Sequence, residues 1–227
     1  GVRAEVAAAL EKCPKDDPLG RKELETALVG FDTVHEIQLA FGEGAKRWIE
    51  RELAAGTTAG APSLRRLRRI AEAASRCPWE PPRTFFEGLN TLWFVREVLG
   101  YVDGTDQFSL GRPDAWLIDL YRADLAAGRI TVEEARELVG KFLMTADCHH
   151  DRTIPVNGYN DHEMEIPMSL GGCDADGKWV FNELTEMFLD AHIGCDCVFP
   201  KLHCRISANA PKVYLEKLGD MLMKGHA

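Results

Sequence analysis

The stretch QFSLGRPDAWLIDLYRADLAAGRITVEEARELVGKFL, residues 107–143, carries the clearest structural signals in the chain. Pro113 suits the first turn of a helix and Gly128 suits its C-terminal stop. Thr131, followed three residues later by Glu134, has the spacing of a capping box, in which each residue bonds the backbone amide of the other. The sequence therefore predicts a loop over 103–112, a helix over 113–128 and a second helix over 131–147.

The upstream sequence also indicates helices. Residues 20–55 place apolar side chains at spacings of mostly three or four, the period of one helix face. The stretch at 56–62 interrupts that pattern, and Ser63 is a suitable N-cap for a second helix ending near Ser75. Apolar residues nearly encircle a helix over 85–101, which predicts that it is buried. The apolar positions of the first helix are Leu24, Leu28, Phe31, Val34, Ile37 and Phe41.

The sequence after residue 150 is more mixed. Short strands are expected over 164–170 and 200–207, because both stretches combine apolar and β-branched residues. The segment GGCDADG between them is typical of a turn, and NELTEMFLDAHI is typical of a helix. A last helix is expected to open at Asn209 and Pro211 and to end near Gly225. The chain is therefore predicted to be helix-rich α/β.

Composition excludes several function classes. The 227 residues carry a net charge of −9, which argues against nonspecific binding to nucleic acid or anionic membranes. The basic cluster Arg65–Arg69 is interpreted as a solvated helix face rather than a phosphate-binding patch. No apolar run has the length of a membrane span, and no signal-like stretch opens the sequence. Seven cysteines without an export signal predict reduced thiols in a cytoplasmic protein.

Two groups of cysteine and histidine raise the alternative of a metal-binding protein. CHHD, residues 148–151, places four potential ligands side by side, but adjacent side chains point in different directions. Cys195 and Cys197 with His203 and Cys204 could satisfy tetrahedral zinc, but the CxC spacing is unusual. His203 and Cys204 should also lie on opposite faces of a strand. Polar or structural roles are therefore preferred, and no metal site is predicted.

Four blocks in order resemble the pyruvate formate-lyase-like domain of glycyl radical enzymes, nearer to the lyase and dehydratase branch. They are PPRTFFEGLNTLWFV, the stretch at 107–143, SLGGCDADGKWVFNELTEMFLDA and PKLHCRISANAP. The resemblance covers residues 80–225 and implies a helix-rich portion of a ten-stranded α/β barrel. Residues 1–227 are expected to form part of one such domain, with a helical region at 1–76 and barrel strands within 77–227.

The resemblance implies radical cleavage of a C–C, C–N, C–O or C–S bond in a small polar substrate. In the family, a backbone glycine stores the radical and a cysteine loop attacks the substrate. Both are expected downstream of this sequence, so no catalytic residue is assigned and the chain alone is expected to be inactive. No cofactor is expected to bind here. A radical-SAM activase should install the glycyl radical in an anaerobic cytoplasm, on an enzyme that is a homodimer when complete.

The resemblance also implies which residues line the substrate cavity. The loop holding Gln107 and Ser109 approaches the substrate in related enzymes, and the segment before SLGG lines the same cavity. Substrate-binding roles are accordingly expected for Gln107, Ser109, Tyr159, His162 and Glu163. An alternative for the loop is structural: Ser109 could cap the following turn, and Arg112 could bind an acidic helix face.

The segment VNGYND contains a glycine–aromatic pair like that of a radical loop. However, Pro155 stands where the family's radical motif carries arginine, and Gly158 falls in the middle of the matching domain. Gly158 is therefore interpreted as a turn glycine and Tyr159 as a wall of the substrate pocket. A non-catalytic scaffold or binding domain of the same fold is the alternative function.

Overall fold

The computed structural model describes residues 1–100, 109–148, 167–197 and 199–225. The chain divides into two compact units, an N-terminal unit at Gly1–Pro81 and a C-terminal unit at Pro82–Ala227. The division lies slightly beyond the limit expected at residue 76, and membership of a single domain stays a prediction. In chain order the elements are α1 (Val2–Lys12), α2 (Pro18–Ala54), α3 (Pro62–Ala74), α4 (Phe85–Val98), α5 (Pro113–Trp116), α6 (Ile118–Ala126), α7 (Val132–Cys148), β1 (Pro167–Gly171), α8 (Glu183–Gly194), β2 (Lys201–Arg205) and α9 (Lys212–Met223).

The long helix α2 confirms the helix expected over 20–55 and most of its predicted apolar face. Five of the six predicted positions are half-buried, namely Leu24, Leu28, Phe31, Val34 and Ile37, whereas Phe41 is 59% exposed. The buried positions are Gln38, Gly42 and Ala45. A side chain at Gly42 would meet the backbone of Ala74 at 3.7 Å, an ordinary contact distance. The apolar spacing therefore identifies the sheltered side of α2, and Phe41 is the exception.

Helix α3 begins two residues earlier than an N-cap at Ser63 would place it. Pro62 occupies its first turn, Ala61 is the N-cap, and no side chain caps this end. The prediction of Ser63 as N-cap is therefore wrong, because the fixed φ of Pro62 already starts the helix. Arg65, Arg66 and the other two arginines of the cluster are exposed, which confirms the solvated face.

The apolar helix α4 opens the C-terminal unit. Thr84 caps it by accepting a hydrogen bond of 3.1 Å from the amide of Glu87. Every residue of α4 is buried or half-buried, which confirms the prediction for the described part of 85–101. No side of α4 is therefore fully open to solvent, and its buried positions are Phe85, Glu87, Gly88, Leu89, Arg96 and Val98.

The helix predicted over 113–128 is two helices, α5 and α6, separated at Leu117. Leu117 is 4% exposed and packs on Gly88 of α4, where an added Cβ would lie 2.6 Å from its Cδ2 atom. Gly128 has φ +63°, which confirms its role as a C-terminal stop. Helix propensity alone predicts one helix here, and packing against α4 divides it.

The capping box predicted at the start of α7 is confirmed, and α8 has one that was not predicted. The amide of Thr131 donates to Glu134 at 2.8 Å, and the amide of Glu134 donates to the Thr131 hydroxyl at 3.1 Å. Asn182 forms the equivalent capping box with Thr185 at α8. Both helix starts therefore satisfy their first amides without tertiary partners.

Strands β1 and β2 are parallel, with Pro167 opposite Lys201 and Gly171 opposite Arg205. Helix α8 lies between them in the chain, as a parallel pair requires. Both predicted strands are confirmed within the described residues. The pair packs on a core that includes Met168, Leu170, Leu184, Phe188 and Tyr214.

Among the described residues, none of the helices combines the length and hydropathy that a membrane crossing requires.

Candidate functional site

Residues 109–111 run parallel to β1 in the C-terminal unit. The amide of Leu110 donates to the carbonyl of Pro167 at 2.8 Å, and the amide of Ser169 donates to the carbonyl of Gly111 at 2.8 Å. Gly111 and Met168 form a parallel bridge. This segment therefore extends the β1–β2 pair by one short parallel stretch, on the other edge of β1.

Ser109 lies at the start of that segment and is exposed. Its hydroxyl accepts a hydrogen bond of 3.0 Å from the Gly111 amide and donates one of 3.3 Å to the Pro167 carbonyl. The alternative of a turn cap therefore describes its local bonding correctly, and these contacts do not test a substrate role. Gln107, Tyr159, His162 and Glu163 lie outside the described residues, as does Gly158. The structure therefore does not show which of the five residues meet.

Arg112 binds backbone rather than an acidic helix face. Its Nη2 atom donates to the carbonyl of Gly171 at 2.7 Å, and Nη1 donates to the carbonyl of Cys173 at 3.0 Å. The two acceptor residues flank Gly172, so a single guanidinium binds both sides of the turn that follows β1. The interpretation of Arg112 as a partner of an acidic face is wrong, because its fork fits two carbonyls of one turn.

Asp114 is fully buried beneath the same reversal. Its Oδ2 atom accepts hydrogen bonds from the Gly171 amide at 2.8 Å and from the Thr185 hydroxyl at 2.9 Å. Its own carbonyl accepts a bond of 2.9 Å from the Asn182 amide group. Burial raises the pKa of Asp114, and these hydrogen bonds together with the charge of Arg112 oppose that rise. We call Arg112, Asp114, Asn182 and Thr185 the β1 clasp.

The β1 clasp holds a turn that only glycine fits. Gly171 and Gly172 have φ +68° and +84°, in the left-handed region that other residues avoid. A Cβ on Gly171 would lie 2.7 Å from the Tyr214 hydroxyl, and one on Gly172 would lie 2.8 Å from Arg205. The turn is therefore constrained by backbone geometry and by neighbouring side chains at once.

Cys204 of β2 and Tyr214 of α9 form a polar pair in which Tyr214 is fully buried and Cys204 is half-buried. The Tyr214 hydroxyl donates to the carbonyl of Leu170 at 3.3 Å. Desolvation raises the pKa of the Cys204 thiol to about 11 and also raises the pKa of Tyr214. The thiol is therefore un-ionised at neutral pH, which gives Cys204 the character of a packed core residue.

The described cysteines and histidines do not gather into a metal centre. Within residues 1–100, 109–148, 167–197 and 199–225, no three His, Cys, Asp or Glu side chains come together to hold an ion. Cys195 is exposed while Cys197 is buried. His203 is exposed and Cys204 half-buried, as expected of neighbours on a strand. The CHHD segment lies outside the described residues from His149 onward.

Sequence reasoning did not identify Asp114. An acidic residue after Pro113 is typical of the first turn of an exposed helix, where it complements the helix dipole. Its burial depends on Gly171 and Thr185, which lie 57 and 71 residues further along the chain. The weak signal available was a carboxylate two residues after Arg112, at the start of the helix that follows a loop already selected as a cavity candidate.

Comparison with known proteins places these features in a family. The family described as pyruvate formate lyase-like matches residues 1–227. The isethionate sulfite-lyase of Nitratidesulfovibrio vulgaris is 27% identical over 99% of this chain, which spans 28% of that enzyme. The (2S)-3-sulfopropanediol dehydratase of Klebsiella oxytoca is 26% identical over the whole chain, which spans 27% of its length.

Solved structures agree on the fold. The B12-independent glycerol dehydratase of Clostridium butyricum superimposes with a TM-score of 0.85 over 99% of this chain and 28% of its own length, at 21% identity. A protein of 1,2-propanediol dehydration from Roseburia inulinivorans gives a TM-score of 0.84 over 97% of this chain and 28% of its own, at 23% identity. The fold is that of a helix-rich portion of a ten-stranded α/β barrel. The chain therefore belongs to the pyruvate formate lyase-like family of glycyl radical enzymes.

Proposed function

We propose that this chain is part of a glycyl radical lyase or dehydratase that cleaves a C–S or C–O bond in a small, hydroxylated substrate. The observation that carries the proposal is the family match across all 227 residues. Two relatives that align with 99% or more of the chain support it, because both are named for small hydroxylated sulfonates. A short-chain hydroxysulfonate is therefore the substrate class to test first.

The glycyl radical would supply the unpaired electron from a segment outside residues 1–227, after installation by a radical-SAM activating enzyme. The contribution of this chain would be the wall of the substrate cavity, formed by Gln107, Ser109, Tyr159, His162 and Glu163. The support for Ser109 is its exposed hydroxyl at the start of the parallel stretch beside β1. Because its O–H already donates to the Pro167 carbonyl and one lone pair accepts from the Gly111 amide, the hydroxyl would accept a hydrogen bond from a substrate hydroxyl. The complete enzyme would act as a homodimer.

The test is anaerobic activation of the complete protein with its radical-SAM partner, followed by electron paramagnetic resonance and product analysis. We expect a glycyl doublet, then sulfite release from isethionate or carbonyl product from (2S)-3-sulfopropanediol. Glycerol and 1,2-propanediol are the control substrates, because they lack the sulfonate group. Absence of the doublet, under conditions in which a known glycyl radical enzyme is activated by its own activase, would exclude radical catalysis.

Activity on the two diols and none on the two sulfonates would retain the lyase or dehydratase assignment but reject the sulfonate class. The Ser109→Ala variant then tests the cavity. We expect a raised KM for the preferred substrate with an unchanged radical content, because the hydroxyl is proposed to bind substrate rather than to carry the radical. Light scattering of the complete protein tests the dimer.

A further inference from the structure

The parallel stretch 109–111 and β1 need a fixed register if Ser109 is to present its hydroxyl at one place. Side chains alternate between faces along an extended strand, so a slip of one residue moves each of them to the opposite face. Among the described residues, only two backbone hydrogen bonds join this stretch to β1, from the amides of Leu110 and Ser169, and the Ser109 hydroxyl adds one side-chain bond to the Pro167 carbonyl. Such a short ladder is a weak determinant of register by itself.

The β1 clasp supplies the missing constraint at the other end of β1. Arg112 directly follows the 109–111 stretch, and its guanidinium holds the carbonyls of Gly171 and Cys173. Asp114, two residues later, accepts the Gly171 amide. The amide of Gly171 is thus held by Asp114 and its carbonyl by Arg112, and both residues closely follow the 109–111 stretch. Any slip between the two segments would break all three contacts.

Two members of the β1 clasp, Asn182 and Thr185, lie at the start of α8. The clasp therefore joins Asp114 to a helix that is distant in the sequence. Thr185 donates to the carboxylate of Asp114, and Asn182 donates to its carbonyl. Both residues also form the capping box of α8. Because Asp114 is fully buried, its hydrogen bonds face no competition from solvent. The carboxylate therefore ties together three segments, namely the 109–111 loop, the end of β1 and the start of α8.

We infer that Asp114 is a positioning residue that, together with Arg112, sets the register between the Ser109 segment and β1 and thereby the geometry of substrate binding. Asp114 does not touch the substrate in this scheme. The part concerning substrate rests on the proposed function, whereas the part concerning register does not. The class of ligand affected is the small hydroxylated substrate of the same cavity.

The first arm of the test measures register without activity, by amide hydrogen exchange of the complete protein. Asp114→Ala should lose protection at Gly171, whose amide donates to the carboxylate, and also at Leu110 and Ser169. Asp119→Ala is the matched control, because Asp119 is an exposed aspartate on the next helix. Unchanged protection at Leu110 and Ser169 in Asp114→Ala would overturn the inference.

The second arm separates substrate binding from radical installation in the activated enzyme. We expect Asp114→Ala to keep its glycyl radical content while KM rises about ten- to a hundred-fold, the range expected when reacting groups are misplaced by about 1 Å. Asp119→Ala should match the unsubstituted enzyme. A normal KM, or a parallel loss of radical content, melting temperature and affinity, would contradict a positioning role.

Two conservative variants keep the test decisive if Asp114→Ala does not fold. Asp114→Asn retains an oxygen that can accept both the Gly171 amide and the Thr185 hydroxyl, so it should restore KM to within about three-fold. Arg112→Lys keeps the charge but cannot span two carbonyls, so it should raise KM and weaken protection at Ser169. If Asp114→Asn performs no better than Asp114→Ala, or Arg112→Lys behaves as the unsubstituted enzyme, the inference fails.

The two arms also separate the two proposals. A protein that shows neither radical nor turnover with any substrate refutes the proposed function, and the exchange arm still decides whether the clasp sets the register. Normal catalysis combined with unaltered exchange in Asp114→Ala refutes the inference alone.

Discussion

The two units of the chain are built from similar helices but bury very different amounts of apolar surface. In the N-terminal unit, α1 buries no residue, and the 37-residue α2 buries only Gln38, Gly42 and Ala45. In the C-terminal unit, twenty buried side chains among the described residues form a core that joins five helices to β1, and β2 adds the partly buried Leu202 and Cys204. An amphipathic pattern therefore predicts that a helix forms, but it does not determine how deeply that helix is buried.

The difference should appear most strongly when large side chains are truncated. Phe188 of α8 is fully buried in the C-terminal core, so Phe188→Ala should lower the free energy of unfolding by about 3–5 kcal/mol. Leu64→Ala, at a fully buried position of α3, should cost about 2–3 kcal/mol, the lower part of the range for truncating a buried leucine, because the described helices α1 and α2 of the same unit bury few residues. Phe41→Ala should change stability by less than about 0.5 kcal/mol.

Denaturant unfolding of the three variants measures these effects. The comparison between units fails if Phe41→Ala costs as much as Phe188→Ala, since that would mean that Phe41 is buried in the protein in solution.

A second contrast concerns glycines with the same backbone conformation. Gly171 has φ +68° and lies against Tyr214, whereas Gly56 of the N-terminal unit has φ +89° and open space where a Cβ would stand. Gly56→Ala should cost about 1–2 kcal/mol from the left-handed conformation alone. Gly171→Ala should cost about 2–4 kcal/mol, because the overlap with Tyr214 is added.

Thermal unfolding of the two alanine variants provides the measurement. Equal losses would show that backbone strain is the whole effect and that Tyr214 moves aside without cost.

The smallest expected effect is a dependence on pH that only the C-terminal unit should show. Burial raises the pKa of Cys204 to about 11, from 9.0 in the unfolded chain. The unfolded state therefore releases a proton before the folded state does, and stability should fall as pH rises from about 9 to 11. The loss should be about 1–2 kcal/mol, reduced because the thiol is only partly enclosed.

Melting temperatures at pH 8 and pH 10.5 measure this dependence. Cys204→Ser should weaken it, while Cys13→Ala in the N-terminal unit should leave it unchanged. An identical decline in Cys204→Ser would assign the effect to another group, such as Tyr214, whose pKa is also raised.

What could be predicted from the sequence was mainly local. Thr131 and Glu134 contact each other within one turn, so their capping box follows from spacing alone. The buried helix α4 followed from apolar residues around its whole circumference. The helix break at Leu117 did not, because it depends on Gly88 in another helix. A contact between residues within one turn can be predicted from their spacing in the sequence. A contact with a distant segment cannot.

The candidate site illustrates the same limit. The family resemblance rested on glycines and polar residues near SLGR and SLGG, and the family match confirms it. The role of Asp114 required knowing that Gly171 and Thr185 meet it, and neither contact leaves a periodic pattern. The substrate-binding assignments of Gln107, Tyr159, His162 and Glu163 stay predictions, since those residues lie outside the described ranges.

The way Arg112 holds the turn after β1 has a consequence for sequence variation. The guanidinium binds the carbonyls of Gly171 and Cys173, and a carbonyl is present whatever side chain a residue carries. Gly171 is restricted by its φ angle and by Tyr214, but the hydrogen bond to residue 173 places no demand on the thiol of Cys173. A library randomised at position 173 would therefore leave the bond from Arg112 intact, whatever else the half-buried side chain at that position contributes.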